Sequence, residues 1–181
     1  MNLSDLKIDQ SWTLFLDRDG VINELIPGDY VRRPEELKMI PGSAQAVAKL
    51  SESFGRIVIV TNQQGIGKGL MSMNDLDLIH EKLLGEILLA GGRIDGIFTC
   101  PHLADAGCEC RKPRPGLALQ AKNKFPEIDF FRSLIAGDSA SDIALGKSLG
   151  MKTVFVAKAS QATEVPAGAG IVLSSLAEWA G

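Results

Sequence analysis

A single α/β domain with a Rossmann-like, doubly wound parallel sheet is the fold this sequence predicts, on three observations. Short apolar runs alternate along the chain with stretches of helical periodicity, the order that gives right-handed βαβ units with helices on both faces. The runs are too short for helices and lack period-2 alternation, as expected of strands buried on both sides. The length of 181 residues matches one domain of about 150 residues with a modest insertion. No repeat or low-complexity linker divides residues 1–181.

The elements follow in order. Thr13–Asp17 is the first strand. After a long irregular stretch, Ser43 stands in N-cap position for a helix with Ala44, Val47, Ala48 and Leu50 on its apolar side, and Gly55 suits a left-handed residue just past its end. Arg56–Thr61 is the second strand; Leu76, Ile79, Leu83, Ile87 and Ala90 mark an amphipathic helix stopped by Gly91 and Gly92. Gly96–Cys100 is the third strand. Pro115 opens a helix through Ala118, Leu119 and Ala121 that ends before Pro126. Ser133–Asp138 is the fourth strand, and Ser141 can cap the helix running to Leu149. Lys152–Ala157 and Ile171–Leu173 are the last strands, and Ser175–Trp179 a short helix.

Composition removes several function classes. Nineteen basic and 22 acidic residues give a formal charge of −3, without the basic footprint of a nucleic-acid binder. No apolar run approaches the roughly 20 residues that span a bilayer, and Met1–Lys7 lacks a signal-peptide pattern. A cytoplasmic monomer acting on a small molecule is expected, in a compartment where cysteines serve as metal ligands more often than in disulfides.

Two strands end in acid at the C-terminal edge of the sheet, where open α/β sheets bind ligands. The first ends in Asp17-Arg18-Asp19-Gly20, the fourth in Gly137-Asp138 followed by Asp142. Any one such Asp could be a helix cap or turn residue. Clustered carboxylates require a cation or a shared proton, and Mg²⁺ prefers a few carboxylates, waters and a substrate phosphate. If Asp17 and Asp138 share one ion, strands 1 and 4 must be neighbours, with strand 2 on the other side of strand 1. The second strand ends in Thr61-Asn62-Gln63, offering a hydroxyl and free N–H groups to phosphate oxygens. Gly65, Gly67 and Gly69 fit neither the dinucleotide nor the Walker spacing.

Asp17-x-Asp19-Gly20, Thr61-Asn62, Lys112-Pro113 and Gly137-Asp138-x-x-x-Asp142 resemble, in order, the four motifs of haloacid-dehalogenase-type phosphatases. The resemblance implies a nucleophilic Asp17 that forms an aspartyl-phosphate. It implies that Asp19 is general acid and then base, and that Mg²⁺ is held by Asp17, Asp138 and the Asp19 carbonyl. Thr61 and Lys112 would neutralise phosphate oxygens, with Asp142 orienting Lys112. Metal-dependent glycosyltransferases also use Asp-x-Asp, but need a larger fold and no carboxylate nucleophile.

All three cysteines and one of the two histidines fall in Cys100-Pro-His102-Leu-Ala-Asp-Ala-Gly-Cys108-Glu-Cys110. Cys100, His102, Cys108 and Cys110 make a closed tetrahedral Zn²⁺ set with no open position, hence structural. An odd count disfavours disulfides, and a non-catalytic zinc-binding module is the alternative without enzyme activity. Arg111 and Lys112 follow directly, so the ion would pin the loop that carries them. His80 reads as a surface or boundary residue, and Trp12 and Trp179 as packing residues.

The combination resembles the branch of heptose 1,7-bisphosphate 7-phosphatases and histidinol-phosphate phosphatases. Two departures from that branch are the short stretch between His102 and Cys108 and the presence of Ser139 where a basic residue is common. No gap could hold a separate cap domain. Residues 18–42 allow a flap, 63–72 a short loop and 101–114 the zinc loop. The expected substrate is a phosphorylated sugar, with Asn62 and Arg111 as binding residues and Lys68 a second candidate for a remote phosphate.

Overall fold

The computed structural model describes residues 6–157 and 165–180; most of the N-terminal stretch expected to lack an export signal lies outside them. Six parallel strands, β1 (Thr13–Leu16), β2 (Arg56–Asn62), β3 (Gly96–Cys100), β4 (Ser133–Gly137), β5 (Lys152–Val156) and β6 (Ile171–Leu173), form one sheet. Their order is β3-β2-β1-β4-β5-β6. Strand β1 thus lies between β2 and β4, as a metal shared by Asp17 and Asp138 requires.

Alternate residues of each central strand enter different cores. Leu14, Leu16, Ile57, Ile59, Leu134 and Ala136 face one, closed by Val47 and Leu50 of α1 (Ser43–Ser53) and by Leu76, Ile79, Leu83 and Ile87 of α3 (Met73–Leu89). Phe15, Val58, Val60 and Ile135 face the other, under Leu117, Ala118 and Ala121 of α4 (Gly116–Lys124) and Leu145 of α5 (Ala140–Leu149). Burial on both faces is why these strands read as unbroken apolar runs. A one-turn α2 (Gln64–Gly67) follows β2, and α6 (Leu176–Ala180) ends the described chain, where the Trp179 ring packs edge-on against Phe54. Among the described residues no helix is long and apolar enough to cross a membrane.

Three expected helix boundaries are corrected. Gly42, with φ +78°, caps α1; the Ser43 hydroxyl instead donates to the Ile22 carbonyl at 2.7 Å and ties the helix to the flap. Gly55 is not left-handed, and α1 ends on extended Phe54. What requires glycine there is close approach, since a Cβ would stand 1.9 Å from the Gln10 carbonyl oxygen. Helix α5 is capped at Ser139 rather than Ser141, because the Asp142 carboxylate accepts from the Ser139 N–H and hydroxyl.

Candidate functional site

Register brings the acids together. Leu16 pairs with Ala136, and the Asp17 N–H donates to the Ala136 carbonyl at 2.9 Å, so Asp17 and Asp138 emerge at one sheet edge. One carboxylate oxygen from each of Asp17, Asp138 and Asp142 lies within 4.8 Å of the others. Gly137 makes this possible, because a Cβ there would overlap the Asp142 side chain at 2.2 Å. The buried Lys112 ammonium bridges the cluster, 2.9 Å from Asp17 Oδ1 and 2.6 Å from Asp142 Oδ1. Burial raises the Asp17 carboxyl; Lys112 opposes this, but the charges of Asp142 and Asp138 add to it, and the result is about 7. Burial acts against the charged form of Lys112 too, yet Asp142 and Asp17 outweigh it and hold the ammonium above its ordinary value.

Asp19 is held differently. Nη2 of the fully buried Arg18 donates to both its oxygens, at 2.9 and 3.0 Å, while Asn23 Nδ2 and Gln63 Nε2 donate at 2.9 and 2.7 Å. Although burial pushes upward, the Arg18 charge and these four bonds keep Asp19 below the ordinary carboxylate range. His80 is the correction here. It is 8% exposed, not a surface residue, and its Nε2 lies 3.2 Å from Arg18 Nη1. Burial, then Arg18, lowers it to about 4. Its phase could have shown this, since His80 falls four residues after Leu76 and three before Leu83 on the apolar side of α3.

Thr61 is buried and its hydroxyl accepts from Gln63 Nε2 at 2.9 Å, leaving its own O–H to donate. The Asn62 amide faces the Lys112 main chain, accepting from its N–H at 3.1 Å and donating to its carbonyl at 3.3 Å. A cavity of about 190 Å³ opens above these groups, with Asp17, Asp19, Lys112 and Asp138 in its lining and the flap residues Leu25, Asp29 and Tyr30 forming a wall. The Tyr30 hydroxyl accepts from Gln64 Nε2 at 2.8 Å, its ring covers Gly65, and Lys68 Nζ lies 5.2 Å from the ring centroid. Flap and β2 loop are therefore joined at the rim.

The second cluster hangs from β3. Cys100 is buried beside Asn62 in register, and its carbonyl accepts from the Gln63 N–H. The Cys100, Cys108 and Cys110 sulfurs lie 2.8 to 3.6 Å apart, and His102 Nδ1 is 3.1 Å from Cys110 Sγ and 3.6 Å from Cys100 Sγ. A tetrahedral ion with bonds of about 2.3 Å to sulfur would set edges of ~3.7 Å; the Cys108 contacts and the His102–Cys100 contact have that length, and Cys110 would move outward to admit the ion. Burial and hydrogen bonding to the other two thiols raise Cys110 to about 12. Arg114 braces the loop, its Nη1 donating to the carbonyls of Gly107 and Cys108 and to Glu109 Oε1. Between the clusters sits Arg111, whose Nη1 is buried without a hydrogen-bond partner. Gln63 and Arg114 carry no local signal for their roles here, whereas Arg18 stands between two acids and Asn23 and Tyr30 fall in stretches that resemble the heptose phosphatases.

A family model described as HAD-hydrolase-like matches residues 109–179. A D-glycero-alpha-D-manno-heptose-1,7-bisphosphate 7-phosphatase of Mycobacterium tuberculosis is 46% identical over 138 residues, 76% of this chain and 73% of that protein. A D-glycero-beta-D-manno-heptose-1,7-bisphosphate 7-phosphatase of Yersinia pestis is 35% identical over 91% of each chain. Among solved structures, the D,D-heptose 1,7-bisphosphate phosphatase of Bordetella bronchiseptica, complexed with magnesium and phosphate, superposes with a TM-score of 0.84 at 33% identity, covering 93% of this chain and 96% of that one. With its ordered motifs on the edge of one parallel sheet, the chain belongs to the haloacid-dehalogenase-like hydrolases, in the family of the heptose-1,7-bisphosphate 7-phosphatases.

Proposed function

We propose that the protein hydrolyses the 7-phosphate of D-glycero-D-manno-heptose 1,7-bisphosphate through an aspartyl-phosphate and leaves the 1-phosphate in place. The observation that carries the chemistry is the crowding of three carboxylates around one buried lysine at the cavity floor. Burial, and then the charges of Asp142 and Asp138, raise Asp17, and a divalent cation is what offsets that cost, so the donor set fits Mg²⁺. Asp17, Asp138 and the Asp19 carbonyl would hold the ion, which supplies charge neutralisation at the phosphoryl oxygens.

In the first step an Asp17 carboxylate oxygen attacks phosphorus and the sugar alkoxide departs with a proton from Asp19. The Asp19 carboxyl, held below its ordinary range in the free site, must first take up that proton. The Arg18 N–H, 2.7 Å from Asp17 Oδ1, and the Lys112 ammonium fix the carboxylate for attack. In the second step Asp19 takes a proton from water as its oxygen attacks the aspartyl-phosphate, and phosphate and free Asp17 are released. The Thr61 hydroxyl and Lys112 neutralise the phosphoryl oxygens; Asp142 holds Lys112, and Asn62 locks its main chain. The thiol and imidazole set fits a structural Zn²⁺, which would tie residues 100–110 together beside Lys112. All these groups belong to one chain, so a monomer suffices, and free thiols suit the cytoplasm.

Selectivity is assigned to the rim. Arg111, with Nη1 unpartnered, is the group for the phosphate that is not transferred. The rim is basic: burial of Tyr30 is outweighed by hydrogen bonds from Lys68 and Gln64 and by the charges of Lys68 and Arg111, which lower its phenol. The α anomer is preferred in this reading, after the more similar mycobacterial relative. Steady-state kcat/KM across both heptose bisphosphate anomers, sugar monophosphates and histidinol phosphate tests it. Faster turnover of histidinol phosphate than of either bisphosphate would overturn the substrate.

A further inference from the structure

The fold contains a buried polar chain that the two-carboxylate chemistry does not by itself require. It runs from α3 through the protein interior to the cavity: His80 Nε2, Arg18 Nη1, Arg18 Nη2, Asp19 carboxylate. Arg18 is among the largest fully buried side chains, and the ion pair found for it among the described residues is to Asp19. A buried guanidinium without its anion is strongly unfavourable, so Arg18 tethers the Asp19 carboxylate with force. One nitrogen donating to both oxygens centres that carboxylate on the guanidinium, while Asn23 and Gln63 each take one oxygen. Arg18 in turn needs an anchor. Its Nε lacks a partner, and Nη1 is satisfied by the imidazole of His80. A guanidinium only donates, so the 3.2 Å contact calls for the imidazole tautomer with its proton on Nδ1 and Nε2 accepting.

We infer that His80, on α3, is a positioning residue for the phosphatase reaction: through Arg18 it fixes the orientation in which the Asp19 carboxyl meets the leaving-group oxygen. His80 itself touches neither substrate nor the metal-binding carboxylates in this arrangement. Without the acceptor, the guanidinium turns to find another partner and pulls the carboxylate it grips against the Asn23 and Gln63 amides that also hold it. Proton transfer is sensitive to such misalignment, since a general acid must lie within hydrogen-bond reach of the atom it protonates. Attack by Asp17 is not, because its contacts are the Arg18 main-chain N–H and Lys112.

The inference rests on the phosphatase reading, and leaving-group chemistry separates it from a merely structural role. A sugar alkoxide needs protonation to depart; 2,4-dinitrophenolate does not. The measured quantity is kcat/KM, which reports formation of the aspartyl-phosphate and excludes its hydrolysis. In His80→Phe the ratio of kcat/KM for heptose bisphosphate to that for 2,4-dinitrophenyl phosphate is expected to fall about tenfold, a fraction of the roughly 10²–10⁴ that general acids contribute. His80→Gln, whose amide oxygen can take the place of Nε2, should restore the ratio to within about threefold. Should His80→Phe fail to fold, His80→Asn, too short to reach Arg18, takes its place with the same expected fall. Equal losses on both substrates, or an unchanged ratio, overturn the inference. Wild-type turnover of the aryl ester, lost in Asp17→Asn, checks the phosphatase reading separately.

Discussion

The two ligand clusters lie on the same edge of the sheet and are built in opposite ways. The carboxylate cluster draws on Asp17, Asp138 and Asp142, which only the β1–β4 register makes neighbours. Asp142 is buried, Asp17 and Asp138 are partly so, and the cluster is overcharged. The thiol cluster comes from residues 100–110, is partly exposed, and depends on one strand end and one braced loop. Tertiary packing holds the first in place against electrostatic cost, whereas local spacing plus a metal would hold the second. Mutations in the first should therefore separate activity from stability, and mutations in the second should lower both together.

Asp17→Asn is the largest break. It should lower kcat by about 10⁴-fold or more, as loss of a nucleophile does, in protein that remains folded. Its effect on stability should have the opposite sign. Asp17 titrates near 7 in the folded chain against 3.8 when unperturbed. Between those values the native state binds more protons than the unfolded one, so the ionised carboxylate costs stability increasingly as pH rises and fully above 7. In EDTA at pH 8 the variant should melt higher than wild type by a few degrees, with the difference gone near pH 4. A lower Tm at pH 8 would show that the cluster stabilises the fold.

Cys108→Ser should behave in the other way. Elemental analysis should find one zinc per wild-type chain and less in the variant. Its Tm should drop by about 5 °C, on the order of 2 kcal/mol for a chain of this size. Activity should fall about tenfold rather than vanish, because Arg114 and the Gly116 N–H bond to Glu109 still brace the loop. Brief EDTA treatment should remove activity that Mg²⁺ restores, with zinc retained. Zinc-free wild-type protein of full stability would erase the contrast between the clusters.

The contrast also explains what could be seen in advance. The thiol set was readable because its ligands are adjacent in sequence and their spacing is itself the evidence. Neighbouring strands 1 and 4 followed from the chemistry of Asp17 and Asp138, and the sheet obeyed. The contacts around Asp19 were not readable: Gln63 reaches it across the fold and looks ordinary where it stands, and the phase of His80 on α3 could show burial but not that its partner is Arg18. Helix caps failed for a related reason: Ser43 is a good cap by type, but its hydroxyl serves the Ile22 carbonyl of a distant loop.

His80 offers a smaller test of buried against exposed design. Its folded pKa, near 4, lies below the ordinary 6.5. From pH 6.5 down to 4 the unfolded chain takes a proton that the native state refuses, so wild type loses stability as pH falls through this window. The loss is about 3 kcal/mol at most for a shift of that size. His80→Gln cannot titrate and should flatten this part of the acid-denaturation curve. Identical curves would mean that His80 takes up its proton as readily in the folded chain as in the unfolded one.

Arg111 follows Cys110 and precedes Lys112 in the chain, and the smallest effect belongs to it. Its side chain lines the hollow beside Cys108 and Arg114, with Nη1 lacking a partner. In the proposed reading this guanidinium would turn toward the phosphate that is not being transferred. Binding energy at a remote phosphate can be used to align the reacting one, so its loss should appear in kcat/KM. Arg111→Ala should cost about tenfold, or ~1.4 kcal/mol, for the heptose bisphosphate and much less for a sugar monophosphate of similar size. The zinc content and Tm of the variant should stay near wild type, since Arg111 supplies the thiol cluster only through its main chain. Equal losses on both substrates would move Arg111 from substrate recognition to support of Lys112. A parallel loss of zinc would instead make it part of the loop's own framework.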